Sequence, residues 1–97
     1  MFSNMIFHCP VKENAKALMQ MLSVHGIKWS SEESLTEQTH WDRYKEETCY
    51  ILIGNNLMYG SLSLATSYYR FLPIIKFNKL NSIHILLQEK GIYYEVP

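Results

Sequence analysis

The sequence lacks long apolar runs, an excess of either charge and a leader-like N-terminus. No stretch approaches the roughly 20 apolar residues that cross a bilayer, and the residues before His8 carry no basic side chain. Nine basic and nine acidic side chains among the 97 residues give a formal net charge of zero. We therefore expect a protein of the cytoplasm, with no signal peptide, no membrane segment and no overall basic surface for nucleic acid.

Catalytic and metal-binding motifs are missing as well. The four histidines are scattered along the chain: His8, His25, His40 and His84. Neither a His-x-His nor a Cys-x-x-Cys spacing is present to form a metal site. Gly54 and Gly60 are isolated and begin no helix, so no phosphate-binding loop is expected. We predict no enzymatic activity, no metal and no cofactor, unless the fold brings distant side chains together.

Cysteine is scarce, since the chain has only Cys9 and Cys49. Both fall within predicted strands, and their spacing is not that of a metal site. Thiols in the cytoplasm are kept reduced, so we predict two buried free thiols. A single disulfide between them is the alternative.

The apolar content is sufficient for one small core. Apolar residues make up 47% of the chain and charged residues 19%, which is typical of a globular domain. We expect residues 1–97 to form a single domain that gains stability from a partner or from a homodimer.

One pattern occurs twice: an apolar helical face, a glycine and then an aromatic strand. The first copy contains Leu18, Met21, Leu22, Gly26, Ile27 and Trp29, and the second contains Ile83, Leu86, Leu87, Gly91, Ile92 and Tyr94. Each glycine suits the left-handed turn that ends a helix, because it has no Cβ. We interpret the pattern as scaffold; chance similarity is the alternative to duplication.

The order of elements predicts an α+β fold with two layers. Strands are expected at 4–9, 27–30, 48–53, 57–62, 74–77 and 92–96, with helices over 12–25 and between an Asn78 or Asn81 cap and Gly91. The order is therefore β-α-β-β-β-β-α-β. We expect a mixed or mainly antiparallel sheet of about four to six strands, with the two helices on one face.

The residues around the central strands give signals of different strength. Gly54-Asn55-Asn56 indicates a tight hairpin turn between strands 48–53 and 57–62. Residues 63–73 are weaker: Ala65-Thr66-Ser67 is turn-like, and Tyr68 to Leu72 fits either an extended strand or a loop.

Residues 30–47 form an acidic and aromatic insertion between two predicted strands. Its acidic residues are Glu32, Glu33, Glu37, Asp42, Glu46 and Glu47, against only Arg43 and Lys45, a balance of minus four. The segment also contains Trp41 and Tyr44, residue types that dominate binding hot spots. We predict that these eight acidic and aromatic residues bind a partner. The alternative is a solvated loop with one aromatic residue fixed to the core.

A second candidate surface consists of Tyr59, Tyr68, Tyr69 and Arg70. Tyrosines and an arginine could line a cleft, in one chain or between two copies, that holds a nucleotide or another small ligand. The alternative is an ordinary strand with alternate tyrosines packed inward. Lysines are sparse and no nucleic-acid motif is present, so binding to nucleic acid itself is not expected.

Two short strings resemble small accessory proteins of tailed bacteriophages. Gly26-Ile27-Lys28-Trp29-Ser30-Ser31 follows an amphipathic helix, Leu57-Met58-Tyr59-Gly60 lies downstream, and the bias toward Ile, Asn, Lys and Tyr is similar. The resemblance covers residues 5–77 in the order of elements and carries over no catalytic residue. The insertion at 30–47 departs from it, because such proteins have a shorter loop there.

This resemblance implies a non-enzymatic protein of an infected cell, located in the host cytoplasm. Such a protein binds a host protein, including defence factors, and inhibits or modulates it. The acidic insertion then implies a partner with a basic surface. If that surface normally holds nucleic acid, the acidic residues would imitate its phosphates.

Overall fold

The structure, a computed structural model, describes residues 4–77. Its elements are β1 (Met5–His8), α1 (Lys12–Val24), β2 (Lys28–Trp29), β3 (Thr48–Ile53), β4 (Asn56–Ser61), α2 (Leu62–Tyr68) and β5 (Ile74–Lys76), with two short 3-10 turns at Trp41–Arg43 and Lys45–Glu47. The predicted α+β class is confirmed, and the five strands between residues 4 and 77 lie close to their predicted positions.

The five strands form one mixed sheet in the order β2-β4-β3-β1-β5. The central pairs, β1 with β3 and β3 with β4, are antiparallel, whereas β1 with β5 and β2 with β4 are parallel. The register places Tyr50 of β3 opposite Tyr59 of β4 and Trp29 of β2 opposite Leu57. These three aromatic residues consequently lie near one another at the β2 side of the sheet.

Each face of the sheet has its own apolar cluster, because successive strand residues point to opposite sides. The larger cluster packs under α1 and includes Phe7, Leu18 and Tyr50. The smaller cluster packs under α2 and includes Ile6 and Ala65. The two described helices therefore lie on opposite faces of the sheet.

The first helix and the hairpin end as glycine predicts. Gly26 has φ +81°, and its N–H and that of Ile27 donate to the carbonyls of Ser23 and Leu22, the pairing of a Schellman motif. Gly54 has φ +63° at the turn between β3 and β4. Only this first loop residue has positive φ, as in a type II′ turn.

The region 62–68 differs from the prediction, since the turn or strand expected there is a helix. Ser61 caps α2, because its Oγ accepts a hydrogen bond of 3.1 Å from the N–H of Leu64. Inside α2, Ala65 is completely buried against the sheet. This packing outweighs the low helix propensity of the neighbouring Thr and Ser. The helix predicted after Asn78, the strand at 92–96 and the second copy of the repeated pattern lie outside the described residues.

Both cysteines are buried free thiols, as predicted. Cys9 belongs to the cluster under α1 and Cys49 to the cluster under α2, so their side chains lie on different faces of the sheet. Within residues 4–77, no helix is long and apolar enough to span a membrane.

Candidate functional site

The acidic segment, residues 30–47, is attached to the sheet at several points along its length. Leu35 is fully buried in the cluster under α1. The hydroxyl of Tyr50 donates a hydrogen bond of 2.7 Å to the carbonyl of Thr39. The backbone N–H of Trp29 donates one of 3.2 Å to the carbonyl of Glu33. The segment is thus a folded part of the domain and not a loosely solvated loop.

Trp41 makes a further long-range attachment. Its indole Nε1–H donates a hydrogen bond of 2.9 Å to the carbonyl of Cys9 at the end of β1, and its own carbonyl accepts one of 3.3 Å from Thr48 Oγ1. The side chain is half-buried against the larger apolar cluster, the one under α1. Trp41 therefore fixes the acidic segment to the sheet, and its polar atom is already used within the protein.

The charged side chains of the segment differ in how they are paired. Asp42 forms an ion pair with Lys12 of α1, with N–O distances of 2.9 and 3.0 Å. The pair is solvent-exposed, so it adds at most about 1 kcal/mol to stability. The five glutamates of the segment, Glu32, Glu33, Glu37, Glu46 and Glu47, are exposed. They form no ion pair within residues 4–77 and remain available to a cation from outside.

Backbone strain is concentrated in the same segment. In residues 4–77, the non-glycine residues with positive φ are Glu32 (70°), His40 (59°) and Lys45 (51°), and all three lie in it. A left-handed conformation costs a residue with Cβ about 1–2 kcal/mol. Strain of this kind gathers at functional positions, where the surrounding structure holds it in place.

Beside the segment, Trp29, His40 and Tyr59 form an aromatic cluster. The rings of His40 and Tyr59 are stacked, with centroids 4.3 Å apart and planes 7° from parallel. Trp29 meets both rings edge-on, at 5.0 Å from His40 and 5.8 Å from Tyr59. Tyr44 is half-buried and lies 6.4 Å from Tyr59. Thus one aromatic residue predicted for partner binding, Tyr44, joins one from the alternative ligand set, Tyr59.

A surface cavity of about 450 Å³ opens next to this cluster. It is lined by the aromatic residues Trp29, His40 and Tyr59, the apolar Leu57 and Met58, and the polar Ser30, Ser31 and Glu33. Trp29 is 4% exposed, and its indole Nε1–H is buried with no hydrogen-bond acceptor among residues 4–77. A buried donor that lacks a partner lowers the free energy of unfolding by about 1–3 kcal/mol. We call this cavity the Trp29 pocket.

A second cavity, of about 340 Å³, lies between α1 and the acidic segment. Its lining includes Lys12 and Lys16 from the helix and Glu37 and Asp42 from the segment. Both signs of charge line it: Lys12 pairs with Asp42, whereas Lys16 and Glu37 form no ion pair within residues 4–77.

The residues of the alternative ligand site are not brought together within one chain. Tyr59 lies against the cluster under α1, whereas Tyr69 packs on the opposite face, with its hydroxyl 4.0 Å from Met58 Sδ. Tyr68 is 74% exposed, and Arg70 is also exposed. Within residues 4–77, Tyr59 and Tyr69 thus lie on opposite faces of the sheet and do not share one cleft.

Burial holds the most perturbed ionisable groups in their neutral forms. Desolvation raises the pKa of Cys9 to about 12 and that of Cys49 to about 11, and the charge of Glu47 adds to the shift of Cys49. Burial also raises the pKa of Tyr50. Neither cysteine is thus a ready thiolate nucleophile near neutral pH. In the described part of the chain, no three His, Cys, Asp or Glu side chains cluster as metal ligands would.

Sequence reasoning missed Trp29 and His40 as site residues. Trp29 looked like part of the repeated scaffold pattern, and His40 was one of four scattered histidines. The signal that was available is the proximity of His40 to Trp41 in an acidic segment, but its stacking on Tyr59 depends on the fold. Comparison with known proteins adds no assignment, since no protein-family model, curated protein or solved structure matches the chain.

Proposed function

We propose that the protein is a non-enzymatic accessory protein of the bacteriophage type, which binds a basic surface of a host protein and thereby inhibits or modulates it. The acidic segment is the binding surface. The observation that carries the proposal is the combination of five exposed glutamates that form no ion pair within residues 4–77 with a backbone that is fixed to the sheet by Leu35, Thr39 and Trp41.

A surface of this kind suits electrostatic recognition. Carboxylates on a preorganised backbone lose little conformational freedom on binding, so more of the interaction energy appears as affinity. Clustered charge of one sign also speeds encounter with an oppositely charged partner and makes binding sensitive to salt. The strained φ angles of Glu32 and Lys45 fit a segment whose shape is kept for such a purpose.

In the proposal, the residues of the predicted binding set have different roles. Trp41 holds the segment in place, and Asp42 is engaged by Lys12. The glutamates are the partner-facing charges of the proposal, and Tyr44 is its aromatic contact because it is half-buried at the edge of the cluster.

The test is capture of a host protein from bacterial lysate with matched charge variants. One triple variant carries Glu32→Gln, Glu33→Gln and Glu46→Gln, and the control carries Glu13→Gln, Glu89→Gln and Glu95→Gln. Both change the net charge equally, but only the first changes the acidic segment. We expect retention of a specific protein by the wild type and the control at low salt, its loss at high salt, and little retention by the first variant.

Equal retention by the two triple variants would overturn the proposal, since the position of the charge would not matter. If the captured protein binds nucleic acid, added wild-type protein should displace that nucleic acid and the first variant should not. Displacement would identify phosphate imitation as the mode of inhibition; a lack of displacement by either would exclude it.

A further inference from the structure

We propose that the Trp29 pocket binds an arginine side chain of the basic partner, with its guanidinium group on the aromatic wall and paired with Glu33. This inference rests on the proposed function, because it names the residue by which the partner is held. It assigns a role to Trp29, His40 and Tyr59, none of which belongs to the acidic set.

The walls of the pocket suit a planar cation. His40 and Tyr59 both line it and are stacked in parallel with centroids 4.3 Å apart, so this wall of the pocket consists of flat aromatic rings. A guanidinium group is flat and stacks on aromatic faces, which an ammonium group does not do. Leu57 and Met58 offer apolar contact to the methylene stem of the same side chain.

The charge of the pocket also favours arginine. Among residues 4–77, Glu33 is the acidic residue of its lining, and no lysine or arginine of that range lines it. A carboxylate can accept two parallel N–H bonds from a guanidinium group, and the hydroxyls of Ser30 and Ser31 can accept others. The balance of minus four over residues 30–47 attracts a cation and disfavours a phosphate-bearing ligand.

The indole N–H of Trp29 is a second, independent observation at this site. It is buried and has no acceptor among residues 4–77, although buried polar groups are nearly always hydrogen-bonded. A peptide that brings an arginine also brings backbone carbonyl oxygens, which are acceptors. Because Trp29 itself lines the pocket, a bound peptide brings these acceptors to the same side chain.

The test uses the indole N–H resonances of the uniformly ¹⁵N-labelled protein. The chain has two tryptophans. The resonance of Trp29 reports on the pocket. That of Trp41 is an internal control, because its indole N–H donates a hydrogen bond to the carbonyl of Cys9. The probes are three tripeptides with blocked termini, Ala-Arg-Ala, Ala-Lys-Ala and Ala-citrulline-Ala. Citrulline keeps the shape of arginine but is uncharged.

We expect the arginine peptide to shift the Trp29 resonance with millimolar affinity and to leave the Trp41 resonance in place. Binding of the lysine and citrulline peptides should be about tenfold weaker, the value of one charge-assisted hydrogen bond. Glu33→Gln should weaken arginine binding by a similar factor. Glu37→Gln, an equal charge change in the same segment but outside the pocket lining, should not.

Variants of the aromatic wall complete the test. Tyr59→Leu should abolish binding, whereas Tyr69→Leu, on the opposite face, should retain it; a dispersed spectrum for each variant shows that it is folded. An unmoved Trp29 resonance, or citrulline binding as tight as arginine binding, would overturn the assignment. A nucleoside that shifts Trp29 when the arginine peptide does not would also overturn it, in favour of a heteroaromatic ligand.

The two proposals fail in different ways. If the peptide leaves Trp29 unmoved but capture still depends on Glu32, Glu33 and Glu46, the binding surface stands and the arginine pocket is wrong. If capture is indifferent to those glutamates, the proposed function is wrong whatever the peptide does.

Discussion

Replacing Trp41 by phenylalanine separates the two roles that this residue could have in the acidic segment. If Trp41 serves as a structural attachment, the substitution removes the hydrogen bond of 2.9 Å from its Nε1 to the carbonyl of Cys9 and keeps most of the ring contacts. Loss of a partly buried hydrogen bond costs about 1–2 kcal/mol, because the carbonyl is left without its donor. We therefore expect Trp41→Phe to lower the free energy of unfolding by about that amount.

Trp41→Ala should cost more, because the apolar contact is lost as well. Truncation of a fully buried tryptophan costs about 3–5 kcal/mol. Trp41 is only half-buried, so we expect about 2–3 kcal/mol. In a domain of this size, 1 kcal/mol corresponds to a shift in Tm of about 4–8 °C, so both effects are well above the error of a measurement.

The assay is urea unfolding followed by circular dichroism, in which a change of midpoint at constant slope reports stability alone. The matched control is Phe71→Ala. Phe71 is 75% exposed, so its truncation should change stability by no more than about 0.5 kcal/mol.

The reasoning about Trp41 would be refuted by a Trp41→Phe variant that is as stable as the wild type. Loss of partner capture in that variant would instead make Trp41 a contact residue. A destabilised variant that still captures the partner at a temperature where it is folded would confirm that the indole acts through the position of the segment.

The parts of the fold that depend on local rules could be predicted from the sequence. Gly26 and Gly54 adopt positive φ where a helix and a hairpin must turn. The helical spacing of apolar residues in 12–25 correctly predicted α1. The second described helix was missed because its main start signal is a single cap, Ser61. What stabilises it is the burial of Ala65 against strands that are distant in sequence.

The candidate site could be predicted only where exposure and charge decide the outcome. The glutamates of the segment are exposed, as a minus-four segment suggests. The role of each aromatic residue depends on long-range register, which a single sequence does not contain. The pairing of β2 with β4 brings Trp29 next to Tyr59, and the alternation of β4 separates Tyr59 from the face that carries Tyr69.

Four further predictions concern stability and reactivity. Ser61→Ala should lower the free energy of unfolding by about 1 kcal/mol because it removes the helix cap, while Ser63→Ala, within the exposed first turn of α2, should change it by less in the same urea assay. Gly26→Ala should cost about 1–2 kcal/mol through backbone strain alone, since a Cβ there meets nothing within 4 Å; an unchanged Tm would contradict the left-handed turn. Cys9 and Cys49 should resist alkylation at pH 8 until urea unfolds the protein. Burial raises the two cysteine pKa values to about 12 and 11, so above about pH 9 the thiols ionise in the unfolded chain but not in the folded one. The free energy of unfolding should therefore fall as the pH rises above about 9. A free energy of unfolding that stays constant up to pH 10.5 would contradict this.

The length of the acidic segment is not explained by the topology of the sheet. From Trp29 to Thr48 the chain passes over β4, a distance of about 10 Å across two strand spacings. The register also requires about 13 Å along the strands, since Trp29 pairs with Leu57 and Thr48 pairs with Ser61. A stretched connection of about five or six residues covers both. The actual connection, residues 30–47, is several times longer than these five or six residues.

The surplus residues are ordered, and ordering each of them costs about 1–2 kcal/mol in backbone entropy. Three of them also hold strained φ angles. Burial of Leu35 and the hydrogen bonds to Thr39 and Cys9 offset part of this cost, yet a shorter loop would avoid it altogether. This connection is longer than the sheet needs, strained, and fixed so that its carboxylates face outward. These three properties agree with the proposal that the carboxylates bind a partner.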